Sequence, residues 1–259
     1  MLRLFSAWIT TKRSVPKPTH TDGGYFPSQD SCQIPNISFL FERFLGPTAD
    51  GFFVEVGAFD GVFVSNTWGL AERGWRGLLI EPIPDFAEEC RVNHKKHPNV
   101  TVVEVGIGSP ETSELKLAVA GTLTSGDAKS RLEVAKAPWA RGVDFSKEVT
   151  VASATLDYVL ETHSVPAAFD VLVVDVEGLE TEVFAGFSLH SYKPKMIIVE
   201  LLDTHRELSS LASSDGDLGI RLAKSGYVVV FKDSINTVFV EEKTYREALS
   251  RVSHAATIS

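Results

Sequence analysis

The sequence predicts an α/β protein built on a mostly parallel β-sheet with helices on both faces. Three observations carry this. The runs Phe52–Val56, Gly77–Ile80, Val100–Ile107, Val171–Asp175 and Met196–Leu202 are near-continuous in Val, Ile, Leu and Phe. Strands of that kind are buried on both faces, which is the state of a parallel sheet covered by helices. The segments between them carry helix starts and stops. Finally, Tyr227–Lys232 and Thr237–Glu241 flank Asp233-Ser234-Ile235-Asn236, the pattern of a closing antiparallel hairpin.

Composition narrows the functional classes. With 44% hydrophobic and 23% charged residues in 259, the chain fits an ordinary globular protein of one large domain or two small ones. The net charge of −9 is uneven: residues 1–21 hold Arg3, Lys12, Arg13 and Lys17 and no acid, so the remainder carries −13. A body that acidic repels phosphate backbones, so nucleic acid is not the expected partner. No apolar run approaches the ~18 residues of a transmembrane segment. Two cysteines, Cys32 and Cys90, supply neither a disulfide framework nor a cysteine zinc site.

Along the chain, Pro16, Pro18, Gly23, Gly24, Pro27 and Pro35 make residues 1–35 an irregular N-terminal segment, ahead of a domain over 36–259. Its acid-free start has the character of an organellar presequence, mitochondrial for example. The plainer reading, a frayed terminus on a cytoplasmic protein, is preferred. A short helix is expected over Ile37–Leu45, started by Asn36 and stopped by Gly46. Pro84-Asp85 with Glu88 suggests a capping box for a helix ending near His97, where Pro98 stops it. Thr155 can cap Leu156–His163, and Gly178–Phe187 reads as helix. Residues 121–147 show no clear period and suggest a loop or lid between the third and fourth core strands.

Chemistry is marked by acids that end buried strands: Asp60 after the first, Glu81 after the second, Asp175 and Glu177 after the fourth, Glu200 in the fifth. A buried acid is costly unless it faces a polar crevice. In open parallel sheets, ligands bind in the crevice outside the carboxyl ends of the strands. Gly57 and Gly61 permit a tight turn and close backbone approach after the first strand, and Ser65-Asn66 can cap the helix that follows. This is not a dinucleotide fingerprint, because the bulky Phe59 stands where a glycine would admit a pyrophosphate. No phosphate loop of the Walker type occurs. Glu81, at the end of the second strand, can accept from both hydroxyls of a ribose. An adenosine cofactor without phosphates points to S-adenosylmethionine.

Phe53-Val54-Glu55-Val56-Gly57-Ala58-Phe59-Asp60-Gly61 with Ser65-Asn66-Thr67 resembles the FkbM-type methyltransferases. So do Gly74-Trp75-Arg76-Gly77-Leu78-Leu79-Ile80-Glu81-Pro82, Thr155-Leu156-Asp157 and the block from Asp170 to Glu180. The resemblance covers roughly Phe26–Glu241. It implies a class I, Rossmann-like methyltransferase fold: a seven-stranded, mostly parallel sheet with a C-terminal antiparallel hairpin. It also implies S-adenosylmethionine as methyl donor and, usually, a hydroxyl oxygen as acceptor; the substrate does not transfer with it, and the expected acceptor is a small molecule, sugar or lipid. Within these blocks the cofactor-binding candidates are Glu55, Gly57, Phe59, Asp60, Gly61, Asn66, Glu81 and Pro82.

The catalytic candidates are Asp175, beside the expected position of the transferable methyl group, and His205, a base suited to neutral pH. Asp175, Glu200, Asp203 and His205 offer ligands that could hold Mg²⁺, as in some oxygen methyltransferases, though a metal is not the favoured expectation. Glu180 is expected to cap the helix it begins. His94 and His97, beside Lys95 and Lys96, are read as cations complementing a helix dipole rather than as metal ligands. The alternative to an enzyme is a catalytically silent interaction module on the same fold.

Overall fold

The computed structural model describes residues 32–48, 50–137, 140, 142–201 and 212–257. Helix α1 (Ile37–Leu45) places Ile37, Phe41 and Phe44 at helical spacing and buries that stripe. The chain then builds β1 (Phe52–Val56), α2 (Trp68–Glu72), β2 (Arg76–Ile80), α3 (Pro84–Asn93), a 3₁₀ turn at His94–Lys96 and β3 (Val100–Val103). A second unit follows: β4 (Gly106–Ile107), β5 (Glu114–Ala118), α4 (Ala128–Lys136) and β6 (Glu148–Ala154). The rest alternates again, through α5 (Leu156–Thr162), β7 (Val171–Val174), α6 (Glu180–Ala185), β8 (Met196–Glu200) and α7 (Ala212–Lys224). It closes with β9 (Tyr227–Lys232), β10 (Asn236–Glu241) and α8 (Glu242–Thr257).

The main sheet has seven strands in the order β3-β2-β1-β7-β8-β10-β9. The first five are parallel, and β10 runs antiparallel to both β8 and β9. Alternate residues serve two cores. Val54, Val56, Leu78, Ile80, Leu172 and Val174 face Leu156 and Leu160 of α5, Phe184 of α6 and Leu222 of α7. Phe53, Leu79, Val171, Val173, Met196 and Ile198 face Phe41 of α1, Leu70 of α2 and Cys90 of α3. Each fully buried side chain of this kind contributes about 1.5–3 kcal/mol relative to exposure, which is why these strands read so clearly. Strand order reverses between β1 and β7, and a crevice opens at that switch point.

Several expectations need correction. The run Val100–Ile107 is two strands, because the chain leaves the main sheet after Val103 and β4 joins a three-stranded sheet, β4-β6-β5. Residues 121–147 are not irregular throughout: Asp127 caps α4 by accepting from the Ser130 amide, and Leu123, Val134, Ala137 and Ala140 form a small core of their own. The helix expected over Gly178–Phe187 is confined to Glu180–Ala185. Helix α3 has no capping box; its N-cap is Ile83, and Glu88 pairs with Arg91 instead. Asn36 starts α1 through a left-handed backbone (φ 57°) and not through its side chain. Thr155 caps α5 as expected, accepting from the Tyr158 amide at 3.2 Å. Among the described residues, no helix is long and apolar enough to cross a membrane.

Candidate active site

The site begins where β1 ends. Gly57 has φ +86°, and a Cβ on it would lie 1.8 Å from the Asp175 carbonyl oxygen, so only glycine lets this turn close against the end of β7. The amides of Gly57 and Ala58 both donate to the Ile80 carbonyl, at 3.0 and 3.1 Å, which fixes the turn beside the end of β2. Phe59 is also left-handed (φ 50°), and its amide donates to Glu81 Oε2 at 2.9 Å. The other oxygen of Glu81 accepts from the Ile83 amide at 2.8 Å. Burial pushes the Glu81 carboxyl up to about 7, against the pull of these two donors. Each of its oxygens keeps a lone pair for a further donor.

The other proposed cofactor residues divide by position. Gly57, Phe59, Glu81 and Pro82 line a cleft of about 580 Å³, open mouth included, together with Phe86, Ile107, Leu117 and Thr124. Glu55 lies beneath the turn, on the same strand face as Phe53, and takes hydroxyl donors from Thr67 (2.7 Å) and Ser65 (3.0 Å). Burial raises its carboxyl to about 7, with the hydroxyls opposing. Asp60 Oδ1 accepts from the Val62 and Phe63 amides (2.9 and 2.7 Å) and so shapes the turn. A Cβ on Gly61 would meet His94 Nε2 and Cys90 Sγ at 2.7 Å. Asn66 faces the start of the described chain: it accepts from the Ile34 amide (3.1 Å) and donates to Gln33 Oε1 (3.2 Å). Ser65 Oγ accepts the amides of Thr67 and Trp68, which begins α2.

Across the crevice, Asp175 follows β7 and receives the Gln33 amide at 2.9 Å on its Oδ2. Glu177 has φ 52° and its carbonyl accepts from Ser125 Oγ at 2.6 Å, which ties the inserted unit to the site. Glu180 folds back to accept from the amides of Val176 (3.1 Å) and Gly178 (3.1 Å), a local cap; burial raises its carboxyl to about 8. Val174 pairs with Val199, so Glu200 at the end of β8 comes level with Asp175. Asp175 and Glu177 line the cleft. Burial and mutual repulsion hold Glu177 and Glu200 well above the ordinary carboxylate range, and burial raises Asp175. His205 and Asp203 lie outside the described residues.

The expectation for His94 and His97 is overturned. Both are buried, and they form a chain in which His94 Nε2 meets the Gly61 carbonyl (2.9 Å), the two Nδ1 atoms meet at 3.0 Å, and His97 Nε2 meets Glu72 (3.1 Å). Burial lowers His94 to about 4, so it is neutral packing beneath the turn and not a dipole cation. Gln33 is the functional candidate that sequence reasoning missed, because its partner lies 142 positions away.

The FkbM methyltransferase domain model matches residues 55–229, the span that holds the turn, the inserted unit and both strand-end acid groups. The chain belongs to the FkbM methyltransferase family. No curated protein sequence matches it. Among solved structures, it is similar to a precorrin-6y C5,15-methyltransferase from Geobacter metallireducens GS-15, at 13% identity over 83% of this chain and 93% of that one, TM-score 0.42. It is also similar to an O-methyltransferase from Bacillus cereus solved with SAH, at 14% identity over 78% of each chain, TM-score 0.42. A putative O-methyltransferase from Klebsiella pneumoniae gives 11% identity over 79% and 78%, TM-score 0.44. Such distant likeness carries neither substrate nor site residues to this chain. The sheet of this FkbM chain is the Rossmann-like class I methyltransferase sheet, with its antiparallel C-terminal strands.

Proposed function

We propose that this methyltransferase moves a methyl group from S-adenosylmethionine to a hydroxyl oxygen of a small molecule, sugar or lipid. The observation that carries the reading is the placement of two unlike walls at the switch point between β1 and β7. One wall is the Gly57–Phe59 turn with Glu81; the other is the acid end of β7. The donor set suits an adenosine without phosphates. Glu81 offers free lone pairs to ribose hydroxyls, Pro82, Phe86, Ile107 and Leu117 give an apolar lining, and among the described residues no cation stands in that lining to meet a phosphate.

When bound, the sulfonium cofactor would supply an electrophilic methyl group for in-line attack by the acceptor oxygen, with its sulfur leaving as a neutral thioether. The chain's own part is positioning and exclusion of water. Gly57, Phe59, Glu81 and Pro82 hold the cofactor; Glu55, Asp60, Gly61 and Asn66 set the shape of the turn that does so. Asp175 accepts the hydrogen bond of the acceptor hydroxyl and orients it. His205 is the base assigned from the sequence, taking the proton that the hydroxyl loses. The buried acids along β7 and β8 oppose a phosphate-bearing acceptor, which supports a small molecule over nucleic acid.

Titration calorimetry with S-adenosylmethionine, its demethylated product and NAD tests the reading. Binding of the first two and not of NAD is expected. Binding of NAD alone would overturn the cofactor assignment, and binding of none would favour a catalytically silent interaction module.

A further inference from the structure

The carboxyl ends of β7 and β8 gather more carboxyl groups than methyl transfer requires. Asp175, Glu177 and Glu200 each bring a carboxylate oxygen within 4.8 Å of the other two. Ionised carboxylates this close repel one another, and a side-chain hydrogen bond between Asp175 and Glu200 relieves only that pair. Among the described residues, no lysine, arginine or histidine forms an ion pair with any of the three. A second observation is independent of the clustering. Glu200 is only 8% exposed, and its Oε2 is buried with no hydrogen-bond partner among the described residues. An acceptor left so in a dry interior is costly, and more so when charged.

A cation among the three carboxylates answers both observations, and the donor set says which kind. Among the described residues, all the ligands are carboxylate oxygens, and neither sulfur nor imidazole joins the group. Hard divalent ions prefer such sets, and magnesium in particular binds through a few carboxylates while keeping other positions for water. Asp175 and Glu177 are only partly buried, so the group opens toward the cleft. The Gln33 amide fixes Asp175 through Oδ2, as the outer partners of metal-binding carboxylates do.

We propose that Asp175, Glu177 and Glu200 bind one divalent cation of the magnesium–manganese class at the carboxyl ends of β7 and β8. The binding stands on these three side chains alone and does not need the cofactor reading.

The test is a titration of the full chain with Mn²⁺, without cofactor, followed by electron paramagnetic resonance, with Mg²⁺ as competitor. One saturable site per chain, displaced by Mg²⁺, is expected. Glu200→Gln should weaken it at least tenfold, while Glu111→Gln, at an exposed acid, should leave it as it is. No saturable binding up to about 5 mM, near the weak end for carboxylate sites, would overturn the proposal, as would wild-type affinity in Glu200→Gln. The competing explanation is that the acids answer the ammonium group of the cofactor. Calorimetry with S-adenosylmethionine in chelator separates the two: cofactor binding lost in Glu200→Gln, with no Mn²⁺ site in the wild type, sinks the proposal. A Mn²⁺ site without cofactor binding sinks the methyl-transfer reading and leaves the cation site. Circular dichroism checks the fold of each variant; if Glu200→Gln fails to fold, Asp175→Asn takes its place, and the wild-type titration decides if both fail.

Discussion

Glu81 shows how one side chain serves two structures at once. Its two oxygens take the amides of Phe59 and Ile83, so it joins the turn after β1 to the start of α3 before any ligand arrives. The sequence suggested a carboxylate waiting for ribose; the structure shows one already engaged. Glu81→Ala should therefore fail in two ways. Loss of charge-assisted hydrogen bonds to the ribose should weaken cofactor binding by about 2–4 kcal/mol. Two orphaned amides should also lower stability, at roughly 1–3 kcal/mol each where they stay buried. Glu81→Gln keeps one acceptor oxygen and should lose less on both counts. Calorimetry and thermal melting read the two effects separately, and unchanged cofactor affinity in Glu81→Ala would take this residue out of the site.

At the scale of elements, the closure of β1 against β7 is the joint on which the cleft depends. Gly57→Ala must carry a Cβ into the Asp175 carbonyl while holding a left-handed backbone. Gly121 is also left-handed (φ +65°), but a Cβ there meets nothing within 4 Å. Gly121→Ala should cost only the conformational ~1–2 kcal/mol, and Gly57→Ala clearly more, with loss of cofactor binding. Equal melting temperatures for the two variants would contradict this account of the joint. The histidine chain beneath the turn makes a sharper forecast. A carbonyl can only accept, so His94 Nε2 carries the hydrogen toward Gly61, which leaves His94 Nδ1 to accept from His97. Nitrogen NMR should find His94 neutral and protonated at Nε2 at pH 7; the other tautomer would break the chain. Legibility in the sequence follows the same physics. β1 and β9 were readable to the residue because both are clean apolar runs with clear ends. Val100–Ile107 was not divisible, since its apolar pattern runs on while its partner strand changes. Gln33 and Ile34 lie in a stretch rich in glycine and proline where no local pattern marks a packed segment, although Ile34 is 1% exposed.

Across the whole molecule, the buried acids reverse the usual dependence of stability on pH. Glu55 and Glu81 are raised in the folded chain to about 7, above their ordinary value of 4.5. The folded state then binds more protons than the unfolded state between pH 4.5 and 7, so stability falls as pH rises through that window. His94, lowered to about 4, acts oppositely, but only below its ordinary value of 6.5. Between pH 8 and 6.5 the acids dominate. Lowering the pH across that interval should stabilise the ligand-free protein by about 1.5 kcal/mol through Glu55 and Glu81, with Glu180, raised to about 8, adding to it, so Tm should rise by at least roughly 3 °C. A flat or falling Tm would show that these carboxyls are ionised in the fold. Burial of Glu81 under a bound cofactor should change the slope. One set of contacts comes from the stretch ahead of α1. The stretch Cys32–Ile34 bridges to Val64, gives its Gln33 amide to Asp175 and its Ile34 amide to Asn66. Proteolytic trimming of the chain is then not neutral with respect to position. A cut that leaves Ser31 as the first residue keeps the clasp on Asp175, whereas one that leaves Asn36, five residues on, removes it, so a processing enzyme could set the state of the acid cluster by where it cleaves.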